Sequence, residues 1–260
     1  YTLENLNKLK QNDPGRYEEW IAELEIKESE LELWQDMTEK MYYPYLEEYD
    51  IFAQQDGYLD KEQKLVSDLD EKDIPLHKNW SWDRILRSTF IKQADVLQGI
   101  YYFKEDFDQE SIARHYDFYE PRTVHESSLS PCIYSILAAD LKREEKAYQL
   151  YLRTARLDLD NYNTDTDDGL HITSMAGTWM SIVKGFAGFE VKNDQVEFRP
   201  FLPKAWNGFN FMIKFRGRRI KVNVNQEKST FSLETGKNLK IKVYEKEYEL
   251  TKKEEITVEK

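Results

Sequence analysis

The spacing of apolar positions divides the chain into two regimes. From Tyr1 to about Phe189 the pattern repeats with a helical period. Leu3, Leu6 and Leu9 open it in mid-element, with no polar run-in, which predicts that the chain is the C-terminal part of a longer protein. Glu18–Tyr43 reads as one or two amphipathic helices carrying Trp20, Leu24, Leu31, Trp34, Met37 and Met41, punctuated by Pro14-Gly15 and Pro44. Residues 45–78 read as an acidic loop, either a solvated surface loop or one rimming a cleft. Helices are predicted again from Asp83 through Ile100, over Asp108–Phe118, from Ser130-Pro131 with Ser130 as the cap, and over Lys146–Arg156. The last runs from Ile172 to Lys184, with Ile172, Met175, Ala176, Trp179, Ile182, Val183 and Phe186 on one broad face and Gly185 and Gly188 at its end. After Gly188 the period becomes two: Val196/Phe198, Phe209/Phe211/Ile213/Phe215, Ile220/Val222/Val224, Phe231/Leu233, Leu239/Ile241/Val243, Tyr248/Leu250 and Ile256/Val258. Gly217-Arg218 is placed at a hairpin connection. The expectation is a mainly α chain with a C-terminal antiparallel β module, divided at 1–190 and 191–260.

Composition narrows the function classes. The formal charge is −12, and such a mean field repels nucleic acid and anionic membrane surfaces. No apolar run approaches the roughly 18–20 residues needed to cross a bilayer. The single cysteine, Cys132, excludes an internal disulfide and sits in an apolar helix start, which reads as core. Together these predict a cytoplasmic protein. There is no zinc-type Cys/His cluster and no nucleotide-type glycine loop, so neither a metal nor an organic cofactor is expected. The acidic run 158–167 invites a calcium reading, but the position five residues before Gly169 is Thr164, not Asp. Aromatic residues make up 14% of the chain, which is compatible with sugar stacking as well as with core.

Three stretches can carry chemistry. In 125–131, His-Glu-Ser-Ser-Leu-Ser-Pro, serines stand ahead of a helix, whose free N–H groups and partial positive charge suit an anion; plain turn and cap serines read equally well. Asp167-Asp168-Gly169-Leu170-His171 also enters a helix, with Gly169 permitting close backbone approach and His171 a donor or a cap. Lys92-Gln93-Ala94-Asp95 places adjacent polar groups inside an apolar helix pattern, as for a sugar or for an internal partner such as Asp95. Trp80 and Trp82 are candidate stacking platforms whose commoner role is packing.

The stretch 119–131, YEPRTVHESSLSP, is similar to the signature of glycoside hydrolase family 65. So are 156–163, RLDLDNYN, followed by 168–179, DGLHITSMAGTW, and 91–96, IKQADV. Phe201-Leu202-Pro203 and the 215–218 segment FRGR resemble the family's C-terminal β domain. The resemblance spans nearly the whole chain and is strongest to the maltose-cleaving phosphorylases of the family. It implies part of an (α/α)6 barrel followed by a small antiparallel β-sandwich, and inverting phosphorolysis of an α-linked glucose disaccharide to β-glucose 1-phosphate and glucose. By motif, Ser127, Ser128, Gly169 and His171 would hold inorganic phosphate as co-substrate, and Lys92 and Gln93 the glucosyl unit. The family's general acid lies in an Asp-Glu-Tyr-His-like segment with no counterpart here; Glu47-Glu48-Tyr49-Asp50 is a superficial echo. The acid is therefore expected upstream, in an N-terminal part of the same protein, and the chain alone is expected to be inactive. A homodimer is implied by resemblance only. Kojibiose, nigerose or trehalose phosphorylase, a non-catalytic carbohydrate-binding fragment, and an acid trehalase-like hydrolase with Glu126 activating water remain as alternatives.

Overall fold

In the computed structural model, which describes residues 1–192 and 194–259, the first forty-four residues form one compact unit and a second begins at Tyr45. The first unit holds α1 (Thr2–Asn12), α2 (Pro14–Glu23) and α3 (Glu28–Lys40). Asp13 caps α2 by accepting the Arg16 N–H at 3.1 Å, with Pro14 at the first helical position. Tyr17 is buried there, whereas Trp20, Leu24, Met37 and Met41 stay exposed.

The second unit opens with the short pair β1 (Tyr45–Leu46) and β2 (Ile51–Phe52) and a series of single 3-10 turns. The expected solvated loop is thus partly core: Ile51, Ala53 and Tyr58 are buried. There follow α4 (Leu76–Asn79), α5 (Trp82–Leu86), α6 (Asp95–Tyr102), α7 (Gln109–Tyr119), α8 (Ser130–Asp140), α9 (Glu144–Ala155), α10 (Leu157–Asp160) and α11 (Ile172–Met180), the last continuing as a π-helical turn over Ser181–Phe186. Helix α8 is apolar on all sides, and every residue from Ser130 to Ala138 is buried, as such a sequence requires.

The face predicted for α11 is reversed in its first half. Ser174, Gly177 and Ser181 are buried, while Ile172, Met175 and Trp179 are 74%, 47% and 51% exposed. Close packing explains it. A Cβ on Gly177 would sit 2.9 Å from Cys132 Cβ and 3.2 Å from Thr154 Cγ2, so α11 meets α8 and α9 only through small residues. The π turn then rotates Val183 and Phe186 into the core.

The strands β3 (Glu190–Lys192), β4 (Gln195–Phe198), β5 (Gly208–Phe215), β6 (Arg218–Asn225), β7 (Lys228–Thr235), β8 (Leu239–Val243), β9 (Lys246–Leu250) and β10 (Ile256–Glu259) form two four-stranded sheets, ordered β10-β7-β6-β5 and β3-β4-β8-β9. Alternation places Ile220, Val222 and Val224 inward, and Phe198 meets Phe231 across the sheets at 4.9 Å between ring centroids. The β5–β6 hairpin turns at Arg216-Gly217, both with positive φ, one residue before the predicted position. The module is mixed rather than purely antiparallel, because β4 pairs with β8 in parallel. The three strands between them return the chain in the same direction, which a tight turn cannot do.

Helices and sheets share one hydrophobic core. An ion cluster joins them: Lys104 bonds Asp140 at 2.8 Å and Glu190 at 3.1 Å, and Arg199 bonds Glu190 at 2.6 Å and Glu197 at 3.3 Å. Among the described residues no helix is long and apolar enough to cross a membrane, and no group of three or more His, Cys, Asp or Glu is disposed to hold a metal ion.

Candidate anion and sugar site

The site is assembled by three segments that are remote in sequence. Ile91 and Thr123 form a parallel bridge, with Ile91 N–H donating to Arg122 O and Val124 N–H to Ile91 O, both at 3.0 Å. This pairing keeps the backbone extended past Phe90, so Lys92 and Gln93 lie in a bend before α6 and not inside a helix as expected. The long-range bridge overrides the local apolar pattern. Gln93 is oriented by Asp95, which accepts its Nε2 at 3.3 Å and Gln54 Nε2 at 2.6 Å. Lys92 is exposed beside it.

The bridge carries the chain into the serine loop. Ser127 Oγ donates to Gln93 Oε1 at 3.3 Å and accepts the Leu129 N–H at 3.2 Å. Ser130 is not the cap of α8. It lies within the first helical turn, and its buried hydroxyl pairs with His125 Nδ1 at 2.8 Å, so Ser127 serves as the turn residue instead. Ser128 Oγ meets Thr173 Oγ1 at 2.6 Å, in the first turn of α11. The serine loop is thereby docked against a helix N-terminus whose first N–H groups lack helical partners.

His171 is the N-cap residue of α11. Its backbone N–H donates to Asp158 Oδ2 at 3.0 Å, its Nδ1 meets Asp158 Oδ1 at 2.5 Å, and its Nε2 faces Asp165 Oδ2 at 3.6 Å. The hydrogen bonds from His171 hold the Asp158 carboxyl below the usual carboxylate range. Gly169 has φ +106°, in the region that favours glycine, and the space where a Cβ would stand is open. Backbone torsion, not crowding, calls for glycine there.

Thus five of the six candidates lie along one chain of contacts: Gln93 to Ser127, Ser128 to Thr173, and Gly169 two residues before His171 at the same helix start. The acidic run is consumed locally. Asp158 serves His171, while Asp160 pairs with Arg156 at 2.6 Å and accepts the Tyr162 hydroxyl at 2.8 Å. Trp80 is buried against Phe90 and cannot serve as a stacking platform, whereas Trp82 is exposed.

The structural roles of several polar residues around the site are not evident from the sequence. Glu126 is buried, accepts the Leu76 N–H, the His77 N–H at 3.3 Å, and meets His77 Nδ1 at 2.9 Å. Three of the carboxylate's acceptor sites are thus taken up by α4, which is a structural role for the residue that the hydrolytic alternative would use as its base. His125 is buried with φ +53°, and burial, reinforced by the positive charges of Arg153 and Lys146, pushes its imidazole down to about 3. Arg153 and Asn163 lie behind the same loop. Two of these had a local signal, since Glu126 and His125 adjoin the serines. Asp158 and Asn163 lie in the family-like stretch 156–163, which assigns them no role, and Arg153 lies outside every such stretch.

Residues 1–180 match the glycosyl hydrolase family 65 central catalytic domain and residues 189–250 the family's C-terminal domain. Maltose phosphorylase of Bacillus subtilis (strain 168) is 52% identical over 245 residues, covering 94% of this chain and 31% of that protein. An α,α-trehalose phosphorylase of Thermoanaerobacter brockii is 39% identical, over 98% of this chain and 33% of its own length. A solved structure, a putative kojibiose phosphorylase from human microbiome, superposes with TM-score 0.88 at 34% identity, over 99% of this chain and 36% of that one. The chain therefore spans about a third of the length of the curated relatives it matches. With both family domains matched in order along nearly its whole length, the chain belongs to glycoside hydrolase family 65.

Proposed function

We propose that these residues supply the phosphate pocket and part of the glucosyl site of an inverting disaccharide phosphorylase, which converts maltose and phosphate to β-glucose 1-phosphate and glucose. The observation that carries the reading is the Ser128–Thr173 contact, which docks the serine loop onto the N-terminus of α11 beside His171. In this reading the serine hydroxyls and the free N–H groups of α11 face the anion, and phosphate takes the place beside the His171 ring that Asp165 faces at 3.6 Å.

In this reading Ser127, Ser128, Gly169 and His171 hold phosphate, and Lys92 and Gln93 hydrogen-bond the glucosyl unit. One phosphate oxygen attacks the anomeric carbon from the face opposite the departing oxygen, forming the C1–O–P bond with inversion as the glycosidic bond breaks. A general acid gives its proton to that oxygen. This acid is proposed to lie in the length that the relatives have beyond the matched segment, so residues 1–260 alone would not turn over. An inverting hydrolase needs a second carboxylate to activate water. Phosphate is already an anion and needs only positioning. The occupied state of Glu126 favours phosphorolysis accordingly. Maltose is proposed over trehalose because the maltose phosphorylase relative is 52% identical and the trehalose phosphorylase 39%.

The test is a substrate split in a polypeptide of full family length. Ser128→Ala and His171→Ala should each raise the KM for phosphate by about 10–100-fold, the effect of losing a hydrogen bond to a charged group, with a smaller change for disaccharide. Equal weakening of both substrates would point to a structural role and contradict the assignment.

A further inference from the structure

Arg153, in the last turn of α9, grips both loops of the proposed pocket. Its guanidinium donates to His125 O at 3.1 Å and Val124 O at 3.3 Å, just before Ser127 and Ser128. The same nitrogen reaches Asn163 Oδ1 at 3.4 Å, in the segment that runs on to Gly169 and His171. The face of the guanidinium lies 5.1 Å from the Tyr162 ring centroid. Next to it, Ser174 Oγ donates to Thr154 O at 2.7 Å, fixing α11 to the same turn of α9.

The negative charge around this arginine acts on it only from a distance. The carboxylates whose field reaches it, Glu126 and Asp165, are engaged with His77 and His171 respectively. Among the described residues none closes to an ion pair with it. Nor is the cluster satisfied internally. Arg153 Nε, His125 Nε2, Asn163 Nδ2 and Asp165 Oδ1 are all buried without a hydrogen-bond partner. An arginine kept only to brace a fold would be expected to sit in a closed ion pair with its donors filled. Here a cation with no direct ion-pair partner among the described residues stands behind a loop read as binding an anion.

We propose that Arg153 is a positioning residue for phosphate. It clamps the serine loop and the loop leading to His171 in register, and it supplies a local positive potential behind both. This rests on the phosphorylase reading and deepens it, since it accounts for anion binding by a chain with a net charge of −12. Lysine keeps the charge but places it on a differently shaped head, in place of the terminal nitrogen that reaches both carbonyls and the amide.

The experiment compares wild type, Arg153→Lys and Arg153→Gln at full family length. Arg153→Gln should raise the phosphate KM by about tenfold or more while the disaccharide KM stays within about twofold, with Arg153→Lys between it and wild type. Parallel changes in both KM values, or an unmoved phosphate KM, overturn the proposal. If Arg153→Gln does not fold, Arg153→Lys decides by the same criterion. If the wild type cleaves disaccharide without phosphate, the proposed function has failed, and the arginine is judged on inorganic phosphate alone. A phosphate-induced rise in Tm that Arg153→Lys diminishes upholds the anion role. No rise in wild type, or equal rises, ends it.

Discussion

Glu126→Ala should destabilise the protein by about 3–5 kcal/mol, since it leaves several donors around a buried carboxylate unpaired at roughly 1–3 kcal/mol each. The substitution strips the acceptor from the Leu76 and His77 backbone N–H groups and from the His77 ring at one stroke. The Glu126 side chain is 2% exposed, so water cannot readily replace it. It also unfastens α4 from the serine loop. Denaturant unfolding of the variant against wild type measures the loss. Wild-type stability in Glu126→Ala would mean that the carboxylate is free for other work. Glu126→Gln, which keeps the shape, should retain phosphate-dependent turnover; complete inactivation of a folded Glu126→Gln enzyme would restore the residue as a catalytic base.

Acid should weaken the fold through His125. Its folded-state value is about 3 against an ordinary 6.5, owing to burial first and to Arg153 and Lys146 second. Above pH 6.5 the imidazole is neutral in both states and contributes nothing to the pH dependence. Between about 6.5 and 3 the unfolded chain binds a proton that the folded chain refuses, so stability falls as pH falls. The slope from this group is about 1.4 kcal/mol per pH unit. His115, also lowered by burial, acts with the same sign. His125→Asn removes the titration and keeps a residue that tolerates the left-handed backbone at φ +53°. The variant should be less stable at neutral pH, having lost the Ser130 contact and the packing on Tyr134, yet flatter between about pH 7 and 5. Identical slopes for variant and wild type would contradict the assignment.

What the sequence made legible was local. The all-round apolar run of α8 announced a buried helix, and the Phe215–Arg218 segment announced a hairpin. The placement of the candidate serines, Gly169 and His171 next to helix starts was also legible. Non-local geometry was not. Lys92 and Gln93 leave the helical pattern because Ile91 pairs with Thr123, thirty-two positions away. The face of α11 reverses because Gly177 must pass Cys132 and Thr154 closely. The support of the site is likewise tertiary. Asp158 lies thirteen residues before His171, and Arg153 holds two loops by their carbonyls and an amide, contacts that leave no periodic trace.

The most direct test of the central claim is phosphate dependence. A polypeptide of full family length is incubated with maltose in phosphate-free buffer and in buffer with inorganic phosphate, and the products are identified by anomeric NMR. The account predicts no cleavage without phosphate, and β-glucose 1-phosphate with an equal amount of glucose when it is present. Equal rates of maltose cleavage in both buffers, with glucose as the sole product, would contradict it.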